Sequence, residues 1–248
     1  AVLSLTASRQ LQQSLQANGI RLVTDTDLLG QVWGTRPALP AAPIYEHLPP
    51  QATATRAEKL AELRSTLSSK GADWHFIATL DDIAWLFNLR GSDVFYNPVF
   101  VAFAWIGQQQ AVLFVDLNKV DAQLREALTA DGVELQDYHQ AGRVLASITG
   151  GSTVLIDPAR VTCGLVGRLG TQVKLLEQIN PTSLSKSRKS DAELAHVRQV
   201  MEQDGAALCE FFAWFEASLG KQQITELTID ERLTAARAQR PGYVSLSF

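Results

Sequence analysis

Apolar positions recur along this chain at two spacings, every third or fourth residue and every second, and the switches between them mark its elements. In residues 6–18, Leu11 and Leu15 lie four apart on one face of a short helix, which Asn18-Gly19 closes. Residues 20–23 read as a following strand, and Val32 and Trp33 sit in polar surroundings. Five prolines between residues 36 and 50, without periodicity, predict an extended linker. Leu60, Leu63 and Leu67 then mark a helix closed by Lys70-Gly71, and residues 74–78 read as a strand. Residues 81–89 carry Ile83, Leu86 and Phe87 at helical spacing, with Thr79 as a candidate cap. Apolar strands at 99–106 and 111–115 are close enough to form a hairpin. Val120, Leu124 and Leu128 mark the next helix, 133–138 a strand, Val144, Leu145 and Ile148 a helix, and 153–157 a strand ended by Pro158. Strands alternating with helices in this way predict an α/β layered domain with a mixed sheet.

The texture changes after Pro181. Ser185-Lys-Ser-Arg-Lys189 is a polar, basic junction, and Ser190-x-x-Glu193 is a capping box that opens a helix. Leu194, Val197, Met201, Leu208, Phe211, Phe212 and Phe215 carry one apolar stripe toward a stop at Gly220. Thr225 opens a second helix that finishes before Arg240-Pro241, and residues 243–248 alternate as a strand does. Two helices and one strand leave these apolar faces in need of a sheet. The expected division is therefore 1–35 as the end of one domain, 36–54 as linker, 55–184 as an α/β domain and 185–248 as the start of another.

Composition narrows the function classes. The 248 residues are 46% hydrophobic and 19% charged, which excludes global disorder. A net charge of −4 argues against a nucleic-acid partner, which calls for a basic face. No apolar run approaches the roughly 20 residues of a membrane-spanning helix, so no membrane partner is expected. Two cysteines, Cys163 and Cys209, do not form a disulfide framework, and a reducing compartment, the cytoplasm, is the economical reading. The chain opens without methionine and its single Met is Met201, so the expectation is an internal fragment of something longer.

Candidate chemistry is sparse. His47, His75, His139 and His196 are scattered, none at a metal-ligand spacing, and read as surface or packed histidines. Cys163 has no basic neighbour, and Cys209, near the apolar stripe, reads as core. Asp81-Asp82 and the Asp25/Asp27 pair sit where helices or turns begin, where capping and dipole compensation account for them. Gly164-x-x-Gly167-x-x-Gly170 lacks the Lys-Ser/Thr of a phosphate loop and the G-x-G of dinucleotide binding. Spacing alone assigns no catalytic and no metal-binding residue. The most informative stretch is Asp82-Ile-Ala-Trp-Leu-Phe-Asn-Leu-Arg-Gly-Ser-Asp-Val94 with Asn97-Pro-Val-Phe100, which sets Asn88, Arg90, Gly91, Ser92, Asp93 and Asn97 between apolar elements. Polar groups so placed must bond to one another or to backbone. Asn88, Arg90, Gly91, Asp93 and Asn97 are thus candidates either for a structural knot or for a cleft lining.

That stretch closely resembles the middle domain of the three-domain Xaa-Pro aminopeptidases, the aminopeptidase P family. Trp33-Gly-Thr-Arg-Pro37, the helix with Lys59-Leu60, and Ala206-Leu-Cys-Glu-Phe-Phe-Ala-Trp-Phe215 extend the resemblance over nearly the whole chain. It implies a creatinase/prolidase N-terminal-like α/β domain followed by the leading helices of a truncated pita-bread catalytic domain. It also implies an exopeptidase that releases the first residue when proline comes second, acting as a homodimer on Xaa-Pro peptides. Two divalent metal ions, usually manganese, would be held by two Asp, one His and two Glu, and none of these ligands maps onto this chain. By that inventory the chain alone is inactive. A stand-alone binding or oligomerisation module of the same fold is the rival reading.

Overall fold

The computed structural model describes residues 2–24, 26 and 28–246. In chain order its elements are α1 (Leu5–Gln16), α2 (Leu28–Val32), β1 (Tyr45–Glu46), α3 (Arg56–Ser69), β2 (Trp74–Ile77), α4 (Leu80–Leu86) and β3 (Leu89–Arg90). β4 (Ala102–Gly107), β5 (Ala111–Val115), α5 (Ala122–Ala130), β6 (Val133–Asp137), α6 (Ala141–Ala146), β7 (Thr153–Ile156), α7 (Cys163–Val166), β8 (Lys174–Glu177) and α8 (Pro181–Ser187) follow. Two long helices, α9 (Asp191–Ser218) and α10 (Glu226–Ala238), come last, and short 3-10 turns lie at Leu117–Lys119 and Tyr138–Gln140. The chain divides into two units. One comprises Ala1–His47, Ala54–Val94 and Pro98–Arg188, and the other Leu48–Thr53, Phe95–Asn97 and Lys189–Phe248.

The larger unit is built on a six-stranded sheet of order β6-β5-β4-β2-β7-β8. β4 pairs antiparallel with both β5 and β2, whereas β5–β6, β2–β7 and β7–β8 are parallel. The sheet is mixed, as the close spacing of the two apolar runs predicted. Strand alternation splits the core into two. Ile77, Ala104, Ile106, Leu113 and Leu155 face Leu60, Leu63 and Leu67 of α3 and Leu124 and Leu128 of α5. Phe76, Trp105, Val112, Phe114, Val154 and Ile156 face the other way, toward Ala141 and Leu145 of α6. Helices on both faces explain why all five residues of β5 are buried. A small antiparallel ribbon pairs β1 with β3, Tyr45 opposite Arg90, so the proline-rich stretch contains one element after all.

Local signals account for most boundaries. Thr55 and Glu58 form a capping box at α3, and Ser190 and Glu193 form one at α9. Gly220, at φ +70°, sits just past α9. Four expectations fail. Residues 20–23 and 243–246 are not strands; residues 247 and 248, like Asp25 and Asp27, lie outside the described residues. Thr79 occupies the cap position of α4 but donates its hydroxyl to Asp82 Oδ2 at 2.7 Å instead of capping backbone. Cys209 is exposed rather than core, and both cysteines are free thiols.

One close approach ties the sheet's geometry to a single residue. Gly107 lies opposite Trp74 in the β2–β4 register, and Trp74 stacks on Trp105 with ring centroids 5.0 Å apart. A Cβ at Gly107 would overlap the Trp74 ring. Gly107→Ala is therefore expected to lower stability by roughly 1–3 kcal/mol through forced displacement of the indole. Urea unfolding followed by tryptophan fluorescence checks this, and an unchanged midpoint refutes it.

Candidate functional site

The candidate residues fall on the segment that leaves α4 and crosses to β4. Phe87 caps the end of α4, and Asn88 follows at φ +53°, a left-handed conformation that Asn tolerates better than most residues. Both ends of the Asn88 amide are engaged. Its Oδ1 accepts from Lys59 Nζ at 2.5 Å and its Nδ2 donates to Ala54 O at 2.8 Å. Lys59 also donates to Trp85 O at 2.9 Å and sits 4.4 Å from the Trp85 ring centroid. Next to this knot, buried Arg56 donates to Phe87 O at 2.7 Å and pairs with Glu46 at 2.9 Å and with Asp131.

Asp93 anchors the far end. Its side chain and that of Lys119 are 0% and 1% exposed, and the two form an ion pair. Asp93 Oδ2 also accepts from Val101 N at 2.6 Å, and Asp93 N donates to Val99 O at 3.1 Å. Gly91 lets the segment pass close to Phe100, whose Cβ would lie 2.8 Å from an added Cβ. Asn88, Gly91 and Asp93 thus serve the fold, with Asp93 Oδ1 buried and without a hydrogen-bond partner among the described residues. Asn97 is exposed, and among the described residues its side chain has no hydrogen-bond partner.

Arg90 differs from these. Its Nη1 donates to Ala84 O at 3.1 Å and to Leu89 O at 2.9 Å. No carboxylate pairs with it among the described residues. Burial holds its pKa below the ordinary arginine value, only partly offset by Tyr45.

A second polar cluster, not anticipated as a unit, lies at the start of α4. Asp82 is 1% exposed, and its carboxylate accepts from Thr79 at 2.7 Å, Ser183 at 2.8 Å, Asn180 at 3.1 Å and Lys186 at 2.9 Å. Lys186 also meets Asp81. Burial pushes the Asp82 pKa up, but Lys186 and the three neutral donors together bring it below the usual carboxylate value. Asp81 and Asp82 do stand in the first turn of a helix, as expected, yet their principal bonds hold α8. His75, on β2, is wholly buried, with Nδ1 3.0 Å from Leu155 O and no partner for Nε2. Desolvation takes its pKa down to about 4.

No three His, Cys, Asp or Glu side chains converge as a metal site among the described residues. A cavity of about 450 Å³ borders Lys119, Asp116, Asp137 and His139. Its two carboxylates cap the turns that follow them, accepting from Asn118 N at 3.0 Å and His139 N at 2.9 Å. The residues present therefore do not fit a metal centre. Sequence reasoning missed Lys119, Lys186 and Asn180, because each meets its partner across 26 or more positions that carry no periodic signal.

Comparisons with known proteins place these features. The family described as creatinase/prolidase N-terminal domain matches residues 35–193. A probable Xaa-Pro aminopeptidase P of Chaetomium globosum is 32% identical over 100% of this chain and 42% of its own length. One from Trichophyton verrucosum is 36% identical over 97% of this chain and 36% of its own. The chain thus spans about two fifths of the length of such curated relatives. Among solved structures, an X-prolyl aminopeptidase from Caenorhabditis elegans, described as a cytosolic enzyme with a di-nuclear active site, superposes with a TM-score of 0.89. It is 25% identical, and the match covers 99% of this chain and 41% of that one.

Two outcomes follow from the buried charges. Lys119→Met removes the buried partner of the Asp93 carboxylate and is expected to destabilise by roughly 3–5 kcal/mol. Adding Asp93→Asn, which keeps an acceptor for Val101 N, should recover part of that loss in urea unfolding. For His75, the unfolded side chain takes up its proton near pH 6.5 and the folded one near 4, so its contribution is complete above pH 6.5 and lost as pH falls toward 4. The loss is on the order of 3 kcal/mol. Thermal unfolding of His75→Gln should be flatter than wild type between pH 6.5 and 4. The Asp82 contribution lies at lower pH, fading below 3.8. Parallel pH profiles for the two proteins would refute the assignment.

Proposed function

The chain belongs to the creatinase/prolidase N-terminal domain family, and from that premise we propose that it is a fragment of a metal-dependent Xaa-Pro aminopeptidase. The carrying observation is the match, over 99% of this chain, to 41% of the Caenorhabditis elegans X-prolyl aminopeptidase. In this reading residues 1–35 close a first N-terminal domain, 36–54 link it onward, 55–184 form the middle domain and 185–248 open the catalytic one. The longer protein would release the first residue from peptides with proline second, as a cytoplasmic homodimer. Of the described helices, none is long and apolar enough to cross a membrane.

Hydrolysis of such a bond needs an activated water, a group that polarises the carbonyl and a proton donor for the proline nitrogen. Two divalent ions, manganese in this reading, would supply the first two, held by residues of the longer protein outside this chain. The described histidines and carboxylates offer no substitute, because they are scattered or bound into the fold. The smaller unit adds support. Along α9, Phe211 is buried, but Met201 is 61% exposed and Phe212 54%. A sheet of the catalytic domain would cover that stripe. Asn88, Gly91 and Asp93 then shape the middle domain, Arg90 is the signature residue of the larger unit left to line an approach to the cleft, and Asn97, in the smaller unit, is exposed.

The test is release of the first residue from an Xaa-Pro-Xaa peptide, with Xaa-Ala-Xaa as control. The 248-residue chain should show no turnover. The full-length protein should cleave the proline substrate, and a chelator should abolish the activity. Cleavage by the short chain in the presence of chelator, or a full-length protein indifferent to proline, overturns the reading.

A further inference from the structure

Three buried or half-buried cations of the larger unit meet a carboxylate, whereas half-buried Arg64 donates to the backbone oxygen of Gly107. Arg56 pairs with Glu46 and Asp131, Lys119 with Asp93, and Lys186 with Asp81 and Asp82. Arg90 has none among the described residues, although burial already disfavours its charge. Its two hydrogen bonds both leave from Nη1, to Ala84 O and Leu89 O. They fix the guanidinium plane against backbone and leave the Nε–Nη2 edge without a partner. Arg90 is half-buried, and neither of those atoms is among the fully buried polar atoms that lack a partner.

The Nε–Nη2 edge is a two-pronged donor whose spacing matches the two oxygens of a carboxylate. Held in one orientation, it loses little freedom when a ligand arrives. Tyr45 stands directly opposite Arg90 in the β1–β3 ribbon and is 45% exposed. Residues directly opposite in an antiparallel pair share a face, so a phenol accompanies the guanidinium on that face. The neighbouring acid, Asp93, is committed to Lys119 and does not neutralise the arginine.

We propose that the free edge of Arg90, with Tyr45 across the ribbon, is a carboxylate-binding site. Two sources carry that chemistry. One is the C-terminal carboxylate of a short peptide substrate, and this source rests on the aminopeptidase reading above. The other is an Asp or Glu side chain from the remainder of a longer protein. The site's existence depends on neither.

The decisive measurement is an NMR titration of the 248-residue chain with sodium acetate at constant ionic strength, following the Arg90 Nε–H resonance. A saturable shift with acetate, and none with chloride, supports the proposal; no shift overturns it. Tyr45→Phe should weaken acetate binding several-fold while the ribbon stays intact. The source is read in the full-length protein with Arg90→Lys, which keeps the charge but not the fork. A KM raised about tenfold or more for an Xaa-Pro-Xaa acid, and unchanged for its C-terminal amide, assigns the site to substrate. Equal effects on acid and amide assign it to an internal carboxylate. A wild-type full-length protein that fails to cleave removes the peptidase reading and leaves the acetate result standing.

Discussion

The ion pair between Asp93 and Lys119 is the constraint on which the centre of the larger unit depends. Both groups are out of water, where each charge alone would cost several kcal/mol. Asp93 also takes the Val101 amide just before β4, and Lys119 O receives the Ile44 amide just before β1. The pair therefore sets where the crossing from α4 lands, where the hairpin strand begins, and where the β1–β3 ribbon is held. Gly91 and Asn88 belong to the same constraint: one permits a close approach to Phe100, and the other reverses the chain at the end of α4.

Much of the sheet was readable from spacing. β2, β4, β5 and β7 stand where apolar runs predicted them, because strands covered on both faces carry long apolar stretches. β6, an edge strand, was read from the alternation of Val133 and Leu135 with polar residues. β8 escaped notice because it is a four-residue edge strand, Lys-Leu-Leu-Glu, with charged ends. β1 and β3 are two residues each, too short to show a period. The polar knots were half readable. The signature stretch pointed to Asn88, Arg90 and Asp93, but their partners Lys59 and Lys119 are lysines that resemble surface residues in the sequence. Long-range pairing of single charges leaves no local trace.

The two units differ in how fully their apolar surfaces are satisfied. The larger covers its sheet on both faces and ties α1 back through Leu5 N to Val161 O and through Arg9 to Glu177. In the smaller, α9 and α10 are linked by Arg237 with Asp204 and by Arg240 with Glu210, both at 2.6 Å, while part of the α9 stripe faces water. A family in which this region leads into further chain accommodates both observations.

The position of β2 has a consequence for the growing polypeptide. Its antiparallel neighbour β4 is some thirty residues downstream, but its parallel neighbour β7 pairs Trp74 with Val154. Closing a loop of that length is slow relative to forming the β4–β5 hairpin. Until residues 153–156 leave the ribosome, β2 is an outer strand with one unpaired edge. That edge belongs to Trp-His-Phe-Ile, a largely apolar stretch. The interval between synthesis of β5 and of β7 is therefore when the nascent chain is most exposed to wrong pairing, and a chaperone that shields one strand edge would suffice to protect it.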